Sequence, residues 1–265
     1  MKELMDIQQL KCLKILLIGD SCIDHYHYGS CERMSPEAPV PIFKVLKTEK
    51  SGGMALNVEL NLKGFNAKVD LLTNEKEIVK ARYIDTKTRQ HLLRVDWGEE
   101  TQVQPLSNES INSVDFALYD AIVISDYNKG LLDTHIIKCI LSKAGNLPVF
   151  VDSKKKDLSC YENCILKINN KEYREASFFP SNCELIVTLG EEGVLYKEER
   201  FPTKKVEIFD VCGAGDTFLA ALAYAYLMTG DMERSIKFAN ECGGVVVQKF
   251  GTYAIKLEDL DGICI

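Results

Sequence analysis

Five short runs of mostly apolar residues constrain the fold of this chain more than any other feature. They are Ile15 to Ile18, Ala121 to Ser125, Val149 to Val151, Ile165 to Ile168 and Leu185 to Thr188. A strand with one wet face alternates polar and apolar residues, whereas a strand buried on both faces reads as a continuous apolar run. Helical patterns separate several of the runs, notably Asp133 to Ala144, where Gly145 supplies a stop signal. Strand and helix in alternation predict an α/β domain, a mostly parallel sheet flanked by helices. A chain of 265 residues can bury one substantial core, so a single domain over residues 1–265 is expected. Two segments do not fit the buried sheet. Pro39 to Leu46 and Gln90 to Asp96 are short, β-prone and partly alternating.

The chemistry concentrates in Asp210-Val-Cys-Gly-Ala-Gly-Asp-Thr-Phe218, which runs straight into the apolar stretch Leu219 to Met228. A glycine-rich turn opening a helix points backbone N–H groups at one spot, and the helix dipole makes that spot favour an anion. Asp216 places a carboxylate beside it. The two fit together if the carboxylate takes a proton from a nucleophile while the N–H groups of Gly213, Ala214 and Gly215 hold developing phosphate charge. A plain helix start with a favourable first-turn acid is the simpler reading. The dinucleotide and Walker-type phosphate patterns are both absent. At the other end of the chain, Lys14 to Gly19 ends with Asp20 and Asp24 at its carboxyl side, where open α/β sheets bind ligands.

These residues resemble the ribokinase-like (PfkB) carbohydrate kinases. Asp210 to Asp216 matches their GAGD signature, and Gly52-Gly-Met-Ala-Leu-Asn57 matches their GGxxxN element. The resemblance implies a ribokinase-like α/β fold with a small β lid, built from roughly residues 26–51 and 84–104. It implies that Asp24, Gly52, Gly53 and Asn57 orient a sugar and that Asp216 is the base. Asn169-Asn-Lys-Glu172 fits the family's NxxE element, which implies that Asn169 and Glu172 help hold Mg2+, largely through water. A helix cap made by the same two residues is the structural alternative, and both roles are compatible. Thr188-Leu-Gly-Glu-Glu-Gly193 looks like the family's loop at the ATP site, giving Thr188, Gly190 and Gly193 a cofactor role that an ordinary turn would mimic. Asn240 and Gly243 fall where related kinases line the adenine pocket, or serve simple helix packing.

One branch fits best. Gly19 to Gly29, then Arg33-Met-Ser-Pro-Glu-Ala-Pro-Val-Pro41, Leu92 to Asp96, Ile124 to Gly130 and Phe238 to Val247 with Gly251-Thr252 resemble the D-glycero-β-D-manno-heptose 7-phosphate kinases. These often form the N-terminal half of bifunctional ADP-heptose synthases. The resemblance implies ATP- and Mg2+-dependent phosphorylation of a sugar phosphate, whose own phosphate needs a second anion site; Lys129, Lys87 and Arg89 are candidates. Departures are visible. Cys212 stands where the motif carries Thr, Asp152-Ser-Lys154 replaces Asp-Pro-Lys, and Asn74 to Thr86 and Ser177 to Glu184 are short. The first short stretch is where relatives carry a helix and a lid strand. The nucleotidyltransferase half is absent from these residues, which implies a separate protein for that step. A kinase for another sugar, or a degenerate sugar- or nucleotide-binding protein, remains open at this point.

A net charge of -7 argues against a nucleic-acid partner, since phosphate backbones reward basic surfaces. Ten scattered cysteines form no CxxC pair, and together with the lack of a leader or membrane anchor they read as reduced, mostly buried thiols of a cytoplasmic protein. Lid strands with open edges imply a homodimer through the lid.

Overall fold

The computed structural model describes residues 12–99, 103–249, 251–263 and 265. The first eleven residues, part of the stretch without a leader pattern, lie outside the described residues, as do 100–102 at the end of the expected lid and Cys264. In chain order the main elements are β1 (Lys14–Gly19), β2 (Ser21–Met34), β3 (Pro41–Met54), α1 (Ala55–Gly64), β4 (Lys68–Leu72), β5 (Val79–Asp85) and β6 (His91–Trp97). There follow α2 (Asn108–Asn112), β7 (Ala121–Asp126), α3 (Thr134–Ala144), β8 (Val149–Ser153), β9 (Ile165–Asn169), α4 (Asn170–Glu175) and β10 (Glu184–Thr188). The last are β11 (Val194–Tyr196), β12 (Glu199–Phe201), α5 (Ala214–Thr229) and α6 (Met232–Val246).

The main sheet has the order β12-β11-β10-β9-β8-β7-β1-β4. Its pairs are parallel from β4 through to β10, and only the β10–β11–β12 edge is antiparallel. The five apolar runs are five of its strands. Their continuity has a direct cause, because alternate residues enter different cores. Ile15, Leu17, Ala121 and Val123 pack on one face with α1, α5 and α6. Leu16, Ile18, Ile122 and Ile124 pack on the other with α3. Each large side chain of this kind contributes about 1.5–3 kcal/mol by leaving water. The helix α3 begins on Asp133, whose carboxylate caps Ile136 N–H at 2.8 Å, and it stops at Gly145. The helix α5 is buried on every side from Asp216 to Ala225, as its apolar run from Phe218 onward requires.

The second sheet is a four-stranded lid of order β3-β2-β5-β6. It is larger than the sequence suggests, beginning at Ser21 and including β5, which lies mostly between the two expected segments. The stretch Asn74 to Thr86, short against the resemblance, therefore keeps its lid strand. Strand β5 is hard to read because its alternation puts Lys80 and Arg82 on a buried face, where cations are rarely found. The register gives the lid two unlike faces. Asp24, Lys80, Arg82, Arg94 and Asp96 share one, while His27, Phe43, Tyr83, Leu93 and Trp97 share the other. On the second face Leu93 is 56% exposed and Trp97 48% exposed.

Candidate active site

The site lies where the lid's charged face meets the carboxyl ends of β7, β8 and β9 and the start of α5. Its centre is Asp216, in the first turn of α5 and 4% exposed. Asn57 Nδ2 donates to one carboxylate oxygen at 2.9 Å, and the Tyr127 hydroxyl donates to the other at 2.8 Å. Burial pushes the Asp216 pKa up to about 6; Asp152 adds to the rise, and Asn57, Tyr127 and Lys167 oppose it. A second link ties the same two helices, since Thr217 Oγ1 donates to Asn61 Oδ1 at 2.9 Å. Residues four apart on α1 thus grip neighbouring residues on α5.

Glycine is required at the start of α5 for two reasons. Gly213 has φ +79, and a Cβ there would stand 2.6 Å from Asn57 Nδ2. The first N–H groups of a helix have no intrahelical acceptor, and Gly213 and Gly215 both line the cavity beside the turn. The N–H of Ala214 is drawn into a turn with Val211 O at 3.3 Å. Asp210 braces the loop, its carboxylate accepting from Cys212 N–H at 2.9 Å and from Gly251 N–H at 3.0 Å. Burial, then the neighbouring Asp210, pushes the Cys212 thiol up to about 11, so it stays neutral.

At the joint of lid and core, Asp24 and Gly53 come together with Asn57. A Cβ on Gly53 would lie 2.4 Å from an Asp24 oxygen, which fixes glycine at that place. The next residue, Met54, has φ +57 and ψ -129, a strained conformation held at the cap of α1. Asp24 is not a lone carboxylate. Arg82 Nη1 donates to it at 2.5 Å, and both residues are buried. Burial opposes the Arg82 charge, but Asp24 outweighs it and raises the Arg82 pKa. Lys80 lies 5.7 Å from the centre of the Tyr127 ring, and Lys129 Nζ pairs with Glu99 at 2.7 Å. Lys87 and Arg89 do not join them. They sit in the β5–β6 turn, beyond Asp85, whereas Asp24 is in register with Lys80. At about 3.3 Å per residue the turn is roughly 20 Å along the lid from Asp24.

Beside the start of α5 two cavities adjoin, sharing Thr188, Gly190 and Gly215. One, of about 720 Å³, is lined by Asp216, Lys154, Lys167, Asn169, Lys171 and Arg174 among others. The other, of about 680 Å³, is lined by Gly193, Ile208, Val211, Phe218, Asn240 and Gly243 among others. Asn240 spends its amide on Phe201 O at 3.0 Å. Asn169 and Glu172 form a capping box at the start of α4. The Glu172 carboxylate accepts from Asn169 N–H at 2.8 Å and Nδ2 at 2.7 Å, and pairs with Lys154 at 2.6 Å. Three of about four acceptor positions are then filled, which leaves one for a water or another ligand. Among the described residues no cluster of three or more His, Cys, Asp or Glu could hold a metal directly.

The sequence reading named Lys129 but gave no role to Lys80, Arg82, Lys154 or Lys167. Lys167 is 1% exposed, pairs with Asp152 at 2.6 Å and donates to Gly215 O at 3.3 Å. Lys154 joins the same Asp152 at 3.1 Å. Burial pushes Asp152 up, but Lys154 and Lys167 outweigh it and hold its carboxyl below the usual value. The signal for Lys167 was present: a lysine inside a buried strand needs a partner. Of the nine cysteines described, four are buried and Cys12 and Cys31 are exposed, fewer buried thiols than expected. Among the described residues no helix is long and apolar enough to cross a membrane.

Residues 66–259 match the family model of the pfkB family carbohydrate kinases. The bifunctional protein HldE of a Nitratiruptor species is 34% identical over 94% of this chain and 64% of its own length. HldE of Campylobacter jejuni subsp. jejuni serotype O:6 is 35% identical over 93% of this chain and 64% of its own. The chain therefore spans somewhat less than two thirds of these relatives. Among solved structures, ribokinase from Thermotoga maritima superposes with a TM-score of 0.67 at 17% identity, covering 95% of this chain and 99% of that one. Phosphofructokinase-2 from Escherichia coli in complex with fructose-6-phosphate gives 0.70 at 13% identity, covering 95% and 98%. The likeness to these two establishes the fold.

Proposed function

We propose, from the premise that this chain belongs to the pfkB family of carbohydrate kinases, that it moves the γ-phosphoryl of ATP onto the anomeric hydroxyl of D-glycero-D-manno-heptose 7-phosphate. The observation that carries the chemistry is Asp216: a buried carboxylate, held at both oxygens, beside a glycine turn at a helix start and between a polar lid face and two adjoining cavities. The similarity to HldE proteins over more than nine tenths of the chain supports the heptose branch.

In this reading Asp24, Gly53 and Asn57 orient the sugar, and Asp216 takes the hydroxyl proton at its free lone pairs. The raised Asp216 pKa suits a base that works near neutrality. Gly213 and Gly215 N–H groups, with the α5 dipole, stabilise charge on the transferred group. Lys154, Lys167, Lys171 and Arg174 give the 720 Å³ cavity the charge a triphosphate needs. The more apolar 680 Å³ cavity, with Gly243 and Asn240, takes the base. Mg2+, when bound, neutralises phosphate charge, and Glu172 with Asn169 would reach it through water. Arg82, Lys80 and Lys129 supply the second anion site in place of Lys87 and Arg89. Leu93 and Trp97 mark the lid face through which two copies pair as a homodimer.

The test is ATP- and Mg2+-dependent phosphorylation of the heptose 7-phosphate beside a panel of other sugars. Turnover of the heptose phosphate above all others is expected. Turnover of only another sugar would discard the branch and keep the chemistry.

A further inference from the structure

We infer that Tyr127 is a positioning residue for Asp216: its phenol aims the ionised carboxylate at the sugar hydroxyl and keeps it ready to accept the proton. The inference rests on the reading of Asp216 as the base. Tyr127 sits just past the end of β7, and its hydroxyl donates to Asp216 Oδ1 at 2.8 Å. Asn57, from α1, holds Oδ2 at 2.9 Å. Side chains from two separate elements therefore fix the carboxylate plane between them. An ionised carboxylate offers about four acceptor positions, and two remain for the substrate.

The phenol can act only as a donor. Burial and the Asp216 charge beside it raise the Tyr127 pKa well above the ordinary tyrosine value, so it stays protonated. Its ring is itself held. Lys80 Nζ, from the lid, lies 5.7 Å from the ring centre, and Lys154 Nζ, from the end of β8, lies 5.4 Å away. Both are favourable distances for a cation over an aromatic face. Tyr127 thus connects the cations of the sugar side with those of the phosphate side, and hands their fixed geometry to the base. The other groups that bear on Asp216 are Asp152 on β8 and Lys167 on β9, with Cys22 on β2 also within range. Asp152 and Lys167 act on the carboxylate through their charge, whereas the buried Cys22 thiol, pushed up to about 12, is neutral beside it. Without Tyr127, Asn57 is left to hold the carboxylate.

The experiment compares wild type with Tyr127→Phe, which keeps the ring and removes only the donor. Two quantities are read: the titration of the Asp216 carboxyl carbon by 13C NMR, assigned by its loss in Asp216→Asn, and the pH profile of kcat. Removing a hydrogen bond that favours the charged form raises a carboxyl pKa, so the Asp216 midpoint should rise by roughly one pH unit. The acid limb of kcat should rise with it. At pH 7.5 kcat should fall on the order of 10- to 100-fold, while KM for sugar and ATP stays within about twofold. Should the Phe variant fail to fold, 3-fluorotyrosine at 127 leaves every atom of the bond in place and makes the donor more acidic; the midpoint should then fall. An unmoved midpoint with unchanged kcat overturns the inference. Turnover surviving in Asp216→Asn overturns instead the base reading on which it stands.

Discussion

Two buried ion pairs frame this site, and they are built differently. Lys167 and Asp152 face each other directly across β9 and β8, in a sheet covered on both sides. Arg82 and Asp24 meet diagonally across β5 and β2, since Arg82 is in register with Tyr26. Their sheet turns its other face, with Leu93 and Trp97, outward. The core pair is braced by Lys154 and by Gly215 O. The lid pair is braced by the Tyr26 ring, 5.2 Å beneath the guanidinium, and Tyr26 is in turn bonded to Thr252. The contrast teaches where a buried charge is tolerated. In the core the strands were placed by hydrophobic packing and the pair had to satisfy itself. In the lid the pair lies on one face of a sheet whose other face is open.

The largest effect should come from Asp216, which both halves of the site serve. Asp216→Asn should lower turnover by roughly 10³-fold or more, with ATP binding near wild type. The same substitution should raise stability. The Asp216 pKa lies above its unfolded value of 3.8, so the wild type bears a cost wherever the carboxylate is ionised, above about pH 6. That cost, roughly 2–3 kcal/mol, disappears below the unfolded pKa. Asp216→Asn should therefore melt higher than wild type at pH 7.5 and lose that advantage near pH 4. A lower melting temperature at pH 7.5 would contradict the account of its burial.

Lys167→Met should separate core from lid most sharply. It leaves Asp152 with Lys154 alone in a buried site, which costs on the order of 3–5 kcal/mol and should be read as a large drop in the denaturant midpoint. Arg82→Ala should act the other way round. We expect KM for the sugar to rise about tenfold or more while KM for ATP changes less than about twofold, with a smaller loss of stability because Asp24 can reach water once the lid loosens. Equal losses of stability in the two variants would erase the distinction. Smaller still is Leu93→Glu, which, if two copies pair through the lid as proposed, should shift sedimentation toward monomer and leave ATP binding unchanged. Smallest is Lys87→Ala, expected to change sugar KM less than about twofold because the β5–β6 turn is remote from Asp24.

The legibility of the molecule follows the same division. The main sheet was readable because strands buried on both faces must be apolar throughout, and the start of α5 because glycine, helix and carboxylate are consecutive. Asn57 and Gly53 could be placed from a local motif. Arg82 and Lys80 could not, since a cation on β5 looks like surface until the partner strand is known. Tyr127 belongs to the run Ile124 to Gly130 but carried no role there, because nothing near it in sequence announces that its hydroxyl meets a residue 89 positions later. Lys167 was hidden inside a run counted as apolar. Pairings over such separations are set by topology, and topology is what a local pattern lacks.

The passage from core to lid is short. A single residue, Asp20, separates β1 from β2, and Met54 leads from β3 directly into α1. Asp20 is clamped there: its carboxylate accepts from Lys129 and Leu131 N–H groups, and its carbonyl from Ala55 N–H. The lid is therefore tied closely to the core at the end that carries Asp24 and Gly53, rather than hung on a slack tether. Under the proposed function, a sugar that engages both residues would act at the joint between lid and core.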